Sequence, residues 1–188
     1  DWSSDVCSSD LFLKRAWEWL MSLFWHKEMS IAILGLSNAG KSTLVQTLMG
    51  GPQKETVPTI GLDKQTFKKG GVELKTYEIG GHKQFQFLWN TYCQNANAIL
   101  FILDASDENA VEESAIKIRE LIDDESIENI PILVCGNKID LKEALNDEQL
   151  ISRLRLSEFE NRDIALFTIS AKENIKLDNV VNWLISHA

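Results

Sequence analysis

The sequence is poor in three features that would place it in a specialised class. It has three cysteines in 188 residues, and Cys7, Cys93 and Cys135 show no paired or metal-ligand spacing, so we expect a reducing compartment. No apolar run reaches the ~20 residues that a membrane span requires. Basic residues are outnumbered, 19 Lys and Arg against 28 Asp and Glu. The formal net charge of −9 argues against nucleic-acid binding, because such proteins carry basic patches.

The remaining composition is that of a globular protein. Hydrophobic residues make up 44% of the chain and charged residues 25%, both ordinary values for soluble domains. A length of 188 residues is enough for one domain with a full core. The sequence contains no internal repeat, linker or low-complexity tract. We therefore expect a single folded unit.

The first eleven residues, DWSSDVCSSDL, resemble the translation of a sequencing-library adapter fused to a gene fragment. We exclude them from fold reasoning, as one would an expression scar. They also hide the native start and any acylation signal there. The expected organisation is an adapter-like segment at 1–11, an amphipathic helix at 12–27 and a globular domain at 28–188.

Residues 12–25, FLKRAWEWLMSLFW, have apolar side chains at helical spacing and charged ones elsewhere around the helix. Three of the six tryptophans fall in this segment. One interpretation is a terminal helix docked on the domain's own core. The other is an interfacial helix whose Trp and Leu side chains enter a lipid headgroup boundary. The two interpretations are compatible as two states of one switch.

Residues 35–43, GLSNAGKST, fit G-x-x-x-x-G-K-[ST], the phosphate-binding loop. The apolar run Met29–Leu34 predicts a strand before it, and Ser42–Met49 predicts a helix after it, which makes a chance match the weaker interpretation. Glycines let the backbone N–H groups form an anion nest, Lys41 faces the β- and γ-phosphates, and Ser42 is placed to ligate Mg²⁺. The predicted phosphate contacts are Ser37, Asn38, Ala39, Gly40, Lys41, Ser42 and Thr43.

After this loop, strands alternate with helices, which predicts an α/β sheet with ligand loops at the carboxyl ends of its strands. The predicted strands are Leu62–Phe67 and Val72–Ile79, which form a hairpin, then Ala98–Leu103, Ile132–Cys135 and Ala165–Ile169. The predicted helices are Gln84–Gln94, Val111–Ile122, Asp147–Leu154 and Leu177–Ser186.

Two predicted strand ends carry residues suited to base recognition. An Asp140 carboxylate can accept hydrogen bonds from N1–H and the N2 amino group of guanine, whereas adenine would leave a buried charge unpaired. The alkyl stems of Lys138 and Lys172 can flank the purine plane, and the Ala171 N–H can meet guanine O6. The predicted guanine site consists of Asn137, Lys138, Asp140, Ser170, Ala171 and Lys172.

These motifs resemble the Arf and Arf-like family of small GTPases, from about Phe12 to Ala188. The resemblance is carried by the phosphate loop, P-T-I-G at 58–61, G-G-H at 80–82, N-K-I-D-L at 137–141 and an N-terminal helix without a prenylation tail. Stretches such as SLFW at 22–25, DEQLI at 147–151 and WLISH at 183–187 are similar to the lysosomal Arf-like subfamily numbered eight. The resemblance implies a three-layer P-loop fold, with a mostly parallel six-stranded sheet, helices on both faces and an N-terminal amphipathic helix.

The resemblance also implies a GTP/GDP switch that hydrolyses GTP slowly without an activating protein. GTP would draw Thr59 onto Mg²⁺ and the Gly81 N–H onto the γ-phosphate, shift the hairpin and release the N-terminal helix to a membrane. The implied catalytic residues are His82, Lys41 and Gly81. The implied metal ligands are Ser42, Thr59 and, through water, Glu78. The implied patch for effectors is Leu62, Tyr77 and Tyr92. The exchange factor and the activating protein would bind through the same patch and through the switch loops.

Three departures from the family pattern affect these expectations. Glu78 stands where the family has Asp, which puts Mg²⁺ affinity in question because the side chain is one methylene longer. His82 stands where most Arf-like proteins have the Gln that orients the attacking water, although the Sar branch also has G-G-H. Leu62 and Tyr77 replace the usual Phe and Trp of the effector patch, which favours a change of partner over a change of fold.

Three functions are consistent with the sequence. The first is a hydrolysing switch, cytoplasmic and reversibly membrane-associated, that recruits effectors to a late endosomal or lysosomal membrane for organelle positioning and trafficking. The second is an interaction module that binds GTP and barely hydrolyses it, because of Glu78 and His82. The third is a coat-assembly GTPase of the Sar type, suggested by His82.

Overall fold

A computed structural model of the chain describes residues 27–51, 59–159 and 161–188. The predicted amphipathic helix and the adapter-like segment lie outside these residues. The first described strand begins at Lys27, one residue before the predicted boundary of the globular domain, because Lys27 already pairs with Val72.

The described residues form one six-stranded sheet in the order β2-β3-β1-β4-β5-β6. Its strands are β1 (Lys27–Leu34), β2 (Leu62–Lys69), β3 (Val72–Ile79), β4 (Ala98–Asp104), β5 (Ile132–Asn137) and β6 (Ile164–Thr168). β2 runs antiparallel to β3, and all other neighbouring pairs are parallel. The central strands β4 and β5 are buried along nearly their whole length, and β1 is buried over its last four residues, which explains the apolar sequences of these segments. The mostly parallel six-stranded sheet is confirmed.

The described part of the chain contains five α-helices, of which the first four lie between strands and the last follows β6: α1 (Lys41–Leu48), α2 (Trp89–Cys93), α3 (Glu108–Ile122), α4 (Asp147–Leu154) and α5 (Leu177–Ser186). Short 3₁₀ segments span Lys83–Leu88, Glu125–Ile127 and Leu156–Glu158. Two separate apolar cores hold the helices. α1 and α5 share one core with Ile31 and Ile33, whereas α2, α3 and α4 share the other with Ala32 and Leu34. Because alternate residues of β1 enter different cores, the helices cover both faces of the sheet as expected.

The helix predicted from Gln84 to Gln94 is wrong as one continuous α-helix. Lys83–Leu88 is a 3₁₀ segment with no buried residue, and only the following α2 turn is α-helical. Its buried residues are Trp89 and Cys93. The reason is physical: a helix of this length depends on burying an apolar face, and the first half of the segment buries none.

The strand predicted to end at Cys135 continues through Gly136 to Asn137, which pair with Leu103 and Asp104 of β4. A Cβ on Gly136 would fall against the Leu150 side chain of α4, so this glycine serves close packing inside the sheet. Consequently Asn137 is a buried strand residue, only 3% exposed, at the carboxyl edge where β1 also ends.

Among the described residues, no helix is both long and apolar enough to cross a membrane. Cys93 and Cys135 are buried free thiols.

Candidate nucleotide site at the carboxyl edge of the sheet

The loop between β1 and α1 has the close backbone approach that its glycines predict. Gly35 has φ of 137°, and a Cβ there would collide with the carbonyl oxygen of Ile102 in β4. Gly40 has φ of 95°, and a Cβ there would collide with the Asn137 side-chain amide. Both positions therefore require glycine by conformation and by space. The loop ends at the first residue of α1, so its N–H groups lie at a helix N-terminus, the arrangement that favours anions.

Lys41 lies beneath this loop. Its Nζ donates to the carbonyl oxygens of Gly35 at 3.0 Å and Leu36 at 2.8 Å. Burial lowers the pKa of Lys41 to about 8, although the nearby Glu78 carboxylate works in the opposite direction. A buried ammonium group whose hydrogen bonds go to carbonyl oxygens is further stabilised by a nearby anion, so this side chain is suited to a phosphate.

Three oxygen-bearing side chains meet beside the loop. The hydroxyls of Ser42 and Thr59 both donate to Glu78 Oε1, at 2.5 and 2.6 Å, and their oxygens lie 3.1 Å apart. Mg²⁺ prefers oxygen ligands at 2.0–2.1 Å in octahedral geometry, in which neighbouring ligands are about 3 Å apart. The two hydroxyl oxygens fit that spacing. These two hydroxyls and the Glu78 carboxylate are therefore the candidate ligands.

Gly81 and His82 approach the phosphate loop from the end of β3. A Cβ on Gly81 would fall against the backbone of Gly35, Leu36 and Ser37, so the bare backbone of Gly81 contacts the loop. His82 is exposed, and its Nε2 lies 3.5 Å from the Ser37 hydroxyl. The predicted catalytic residues His82, Lys41 and Gly81 are thus gathered around the same loop.

At the predicted base site, Asn137 joins two loops. Its Nδ2 donates to the Ala39 carbonyl at 2.8 Å, and its Oδ1 accepts from the Ala171 N–H at 2.9 Å. The Ala171 N–H, predicted to meet guanine O6, is therefore engaged by Asn137 in this structure. Thr47 of α1 adds a second link, because its hydroxyl donates to the Ala171 carbonyl at 3.0 Å.

Asp140 and Lys138 are each held by a neighbour. The Ser170 hydroxyl donates to Asp140 Oδ1 at 2.6 Å, and Asp140 as a whole is exposed. Lys138 Nζ donates to Asp104 Oδ2 at 2.5 Å. Burial alone would raise the pKa of Asp104, but hydrogen bonds from Lys138 and Ser106 hold it below its ordinary value.

The remaining predicted residues lie around the rim. Ser37 and Asn38 are exposed, Ala39 is buried, and Thr43 is half-buried in α1. Lys172 is exposed, with its ammonium group 3.5 Å from Glu173. All of the predicted phosphate and base residues thus border one edge of the sheet.

Sequence reasoning missed Asp104 and Thr47, and it gave Asn137 only a base-contacting role. Asp104 could have been identified from the sequence, because it is the polar residue that directly follows the apolar strand Ala98–Leu103. That strand ends beside the carboxyl end of β5. Thr47 offered no signal, because a Thr inside a helix is unremarkable.

The predicted effector patch lies partly on the outer hairpin, with Leu62 and Tyr77, and partly on α2, with Tyr92. The rings of Tyr77 and Tyr92 lie 5.7 Å apart, and the Lys64 ammonium group sits 5.3 Å from the Tyr77 ring centroid. Leu62 pairs with Ile79, two residues from Tyr77 on the same face of β3. The patch is half-buried, with Ile60 and Phe87 strongly exposed at 83% and 74%.

The sheet order, the phosphate loop after β1 and the N-K-x-D segment that begins at the last residue of β5 define a small GTPase. A sequence model described as the ADP-ribosylation factor family matches residues 17–188. The chain belongs to the ADP-ribosylation factor family.

Two comparisons illustrate this membership. The chain is 37% identical over 171 residues to ADP-ribosylation factor-like protein 8c of Arabidopsis thaliana, covering 90% of this chain and 93% of that protein. It is also similar to the structure of the Arl6 BBS3 small GTPase from Trypanosoma brucei with bound nucleotide analogue GppNp, with a TM-score of 0.79 and 26% identity. That match covers 85% of this chain and 96% of the other.

The chain is accordingly a GTP hydrolase of Arf-like type that binds GTP, GDP and Mg²⁺. The Ser42, Thr59 and Glu78 oxygens described above have the donor chemistry that Mg²⁺ takes, so the structure and the family agree on this ion.

Proposed function

We propose that this small GTPase recruits effectors to a late endosomal or lysosomal membrane in its GTP form. The similarity to ADP-ribosylation factor-like protein 8c supports the assignment to subfamily eight, from which the choice of membrane follows. The protein is cytoplasmic when it holds GDP and binds the membrane surface reversibly through the segment at 12–27, which the sequence predicts to be an amphipathic helix. The domain at 28–188 carries the switch.

One observation carries the switching role: both ends of the β2–β3 hairpin touch the phosphate loop. Thr59 precedes β2 and reaches Ser42, whereas Gly81 follows β3 and lies against the loop backbone. The two ends are tied together, because the Gly80 N–H donates to the Gly61 carbonyl at 2.8 Å. A phosphate bound at the loop therefore acts on the whole hairpin, which also bears Leu62 and Tyr77 of the effector patch.

Each side chain has a role in this proposal. Residues 37–43 bind the phosphates, with Lys41 as the cation, and Ser42 and Thr59 hold Mg²⁺ with Glu78 behind them. The ion neutralises phosphate charge. Gly81 contacts the γ-phosphate, and His82 orients the attacking water. The base is read by Asn137, Lys138, Asp140, Ser170, Ala171 and Lys172.

The test of the membrane assignment is localisation of the tagged chain, residues 12–188, in cells. His82→Leu should accumulate on late endosomes and lysosomes because it keeps GTP, and Lys41→Ala should be diffuse because it loses the phosphate cation. Accumulation of His82→Leu on the endoplasmic reticulum would favour the Sar-type function. A diffuse His82→Leu protein with GTP bound would contradict membrane recruitment.

A second candidate is an interaction module that holds GTP with little hydrolysis. The observation that favours it is the contact of His82 Nε2 with the Ser37 hydroxyl at 3.5 Å, which engages a ring nitrogen that would otherwise face water. Multiple-turnover GTPase assays with lysosomal and endoplasmic-reticulum activating proteins separate the candidates. Stimulation by neither would support the module, and stimulation by one would identify the switch.

A further inference from the structure

We infer that Glu78 is a positioning residue that closes the Thr59 loop (residues 59–61) onto the phosphate loop directly, so that this closure does not require Mg²⁺. The inference rests on the proposed function, since it concerns how the same switch is held. It starts from the two hydroxyl groups that share one carboxylate oxygen, Ser42 at 2.5 Å and Thr59 at 2.6 Å from Glu78 Oε1.

These contacts have the length of O–H···O hydrogen bonds to a charged acceptor, which are about twice as strong as neutral ones. Glu78 is only 3% exposed, so water competes weakly for its oxygens. Ser42 belongs to α1 and Thr59 to the loop before β2. One buried side chain therefore connects two segments that are 17 residues apart in the chain.

The length of Glu78 is essential because its backbone is fixed. In β3 it pairs with Ile33 of β1 on one side and with Asp63 of β2 on the other. A carboxylate one carbon shorter would end about 1.5 Å earlier, which would stretch both contacts toward 4 Å, beyond hydrogen-bonding distance. An Asp here could reach the hydroxyls only through an intermediary, whereas Glu78 reaches them itself.

The direct contacts with Glu78 also orient the two hydroxyl groups so that their oxygens can bind a cation. Each one donates its single proton to Glu78, so its lone pairs remain available on the other side. Glu78 thus holds two oxygen ligands 3.1 Å apart before any ion binds. The Thr59 loop should remain closed when Mg²⁺ is withdrawn, and ion binding should order little further structure.

The Gly80 amide reports on this closure, because it donates to the Gly61 carbonyl in the Thr59 loop. The test is the NMR-detected hydrogen-exchange rate of Gly80 in the 188-residue chain with excess GppNp, measured with Mg²⁺ and with EDTA. In the parent protein, removing Mg²⁺ should change this rate by less than about threefold. In Glu78→Asp the same step should raise it by about tenfold or more, and Mg²⁺ should restore it.

Two further variants separate the contact from general destabilisation. Glu73→Asp makes the same one-carbon change on the same strand, where the side chain faces Lys68 at 3.9 Å, and should behave as the parent does. In EDTA, Thr59→Val combined with Glu78→Asp should accelerate exchange no more than either change alone, because each change already removes the same bond between Thr59 and Glu78.

The inference is overturned if the parent accelerates tenfold on losing Mg²⁺, or if the two changes multiply in the double variant. GppNp binding is measured separately by equilibrium dialysis. Absence of GppNp binding to the parent would refute the proposed function, while the effect of Glu78→Asp on Gly80 exchange in EDTA would still decide the inference.

Discussion

Asp140 is the residue on which the choice of base depends. Asp140→Asn replaces an acceptor oxygen with a donor, so guanine loses its N1–H and N2 partners, while the Ser170 hydroxyl still finds an oxygen to bond. GTP affinity should fall by roughly 3 kcal/mol, about 100-fold, and xanthine nucleotide binding should improve. Fluorescent-nucleotide titration measures both.

The matched control is Asp163→Asn, just before β6 at the opposite edge of the sheet, with a side chain that is 62% exposed. It should leave nucleotide affinity unchanged. Unaltered GTP affinity in Asp140→Asn would remove the guanine-site assignment.

His82 is the residue on which the rate depends. His82→Leu removes the group proposed to orient water, so activator-stimulated hydrolysis should fall by 10²- to 10⁴-fold, the usual contribution of a proton-handling side chain. GTP binding should persist, because His82 lies on the exposed rim of the loop. Single-turnover phosphate release measures the effect. His187→Leu, near Asp163, is the control, and a His82→Leu protein as fast as the parent would refute the role.

Sequence alone predicted most of the residues that border the site, because the motifs fix residue types at fixed spacing, but it missed Asp104 and Thr47. It could not predict their mutual contacts. That Asn137 spans from Ala39 to Ala171 depends on β5 extending two residues beyond the predicted end. That Glu78 reaches both hydroxyls depends on where β1 and β2 hold its backbone. Such contacts arise from tertiary placement and leave no local pattern.

Among the elements, α4 was predicted at its observed bounds because its N-terminal signal is local. Asn146 accepts from the Gln149 N–H at 2.9 Å, and the Gln149 side chain accepts from the Asn146 N–H at 2.9 Å, which together form a capping box. The 3₁₀ conformation of Lys83–Leu88 was not predicted, because apolar residues at helical spacing do not show whether those side chains are buried in the folded protein. Phe87, for example, is 74% exposed.

The capping box at the start of α4 can be tested by mutation. Asn146→Ala should lower the free energy of unfolding by about 1 kcal/mol and the melting temperature by about 3 °C, because an orphan N–H loses its acceptor. GTP affinity should not change, since no predicted site residue lies on α4. Thermal unfolding and nucleotide titration check the two expectations. Asn90→Ala on α2, an exposed site, is the control; an unchanged melting temperature in Asn146→Ala would contradict the role of the cap.

For the whole molecule, fast hydrolysis requires a partner. The sequence between Lys41 and Trp89 contains no arginine, so neither loop at the ends of the hairpin can supply its own arginine finger. The isolated protein should turn over at a rate on the order of 10⁻⁴ s⁻¹, and an activating protein that inserts an arginine should raise it by as much as 10⁵-fold. GTP hydrolysis near 1 s⁻¹ by the isolated protein would show that the chain supplies an equivalent of the arginine finger itself.

The most direct measurement of the central claim is displacement of a fluorescent GDP analogue from the parent protein by unlabelled nucleotides. GTP and GDP should displace it at similar concentrations, and ATP should need on the order of 10⁴-fold more, because adenine leaves the Asp140 carboxylate unpaired. Displacement by ATP at concentrations like those of GTP would contradict the account.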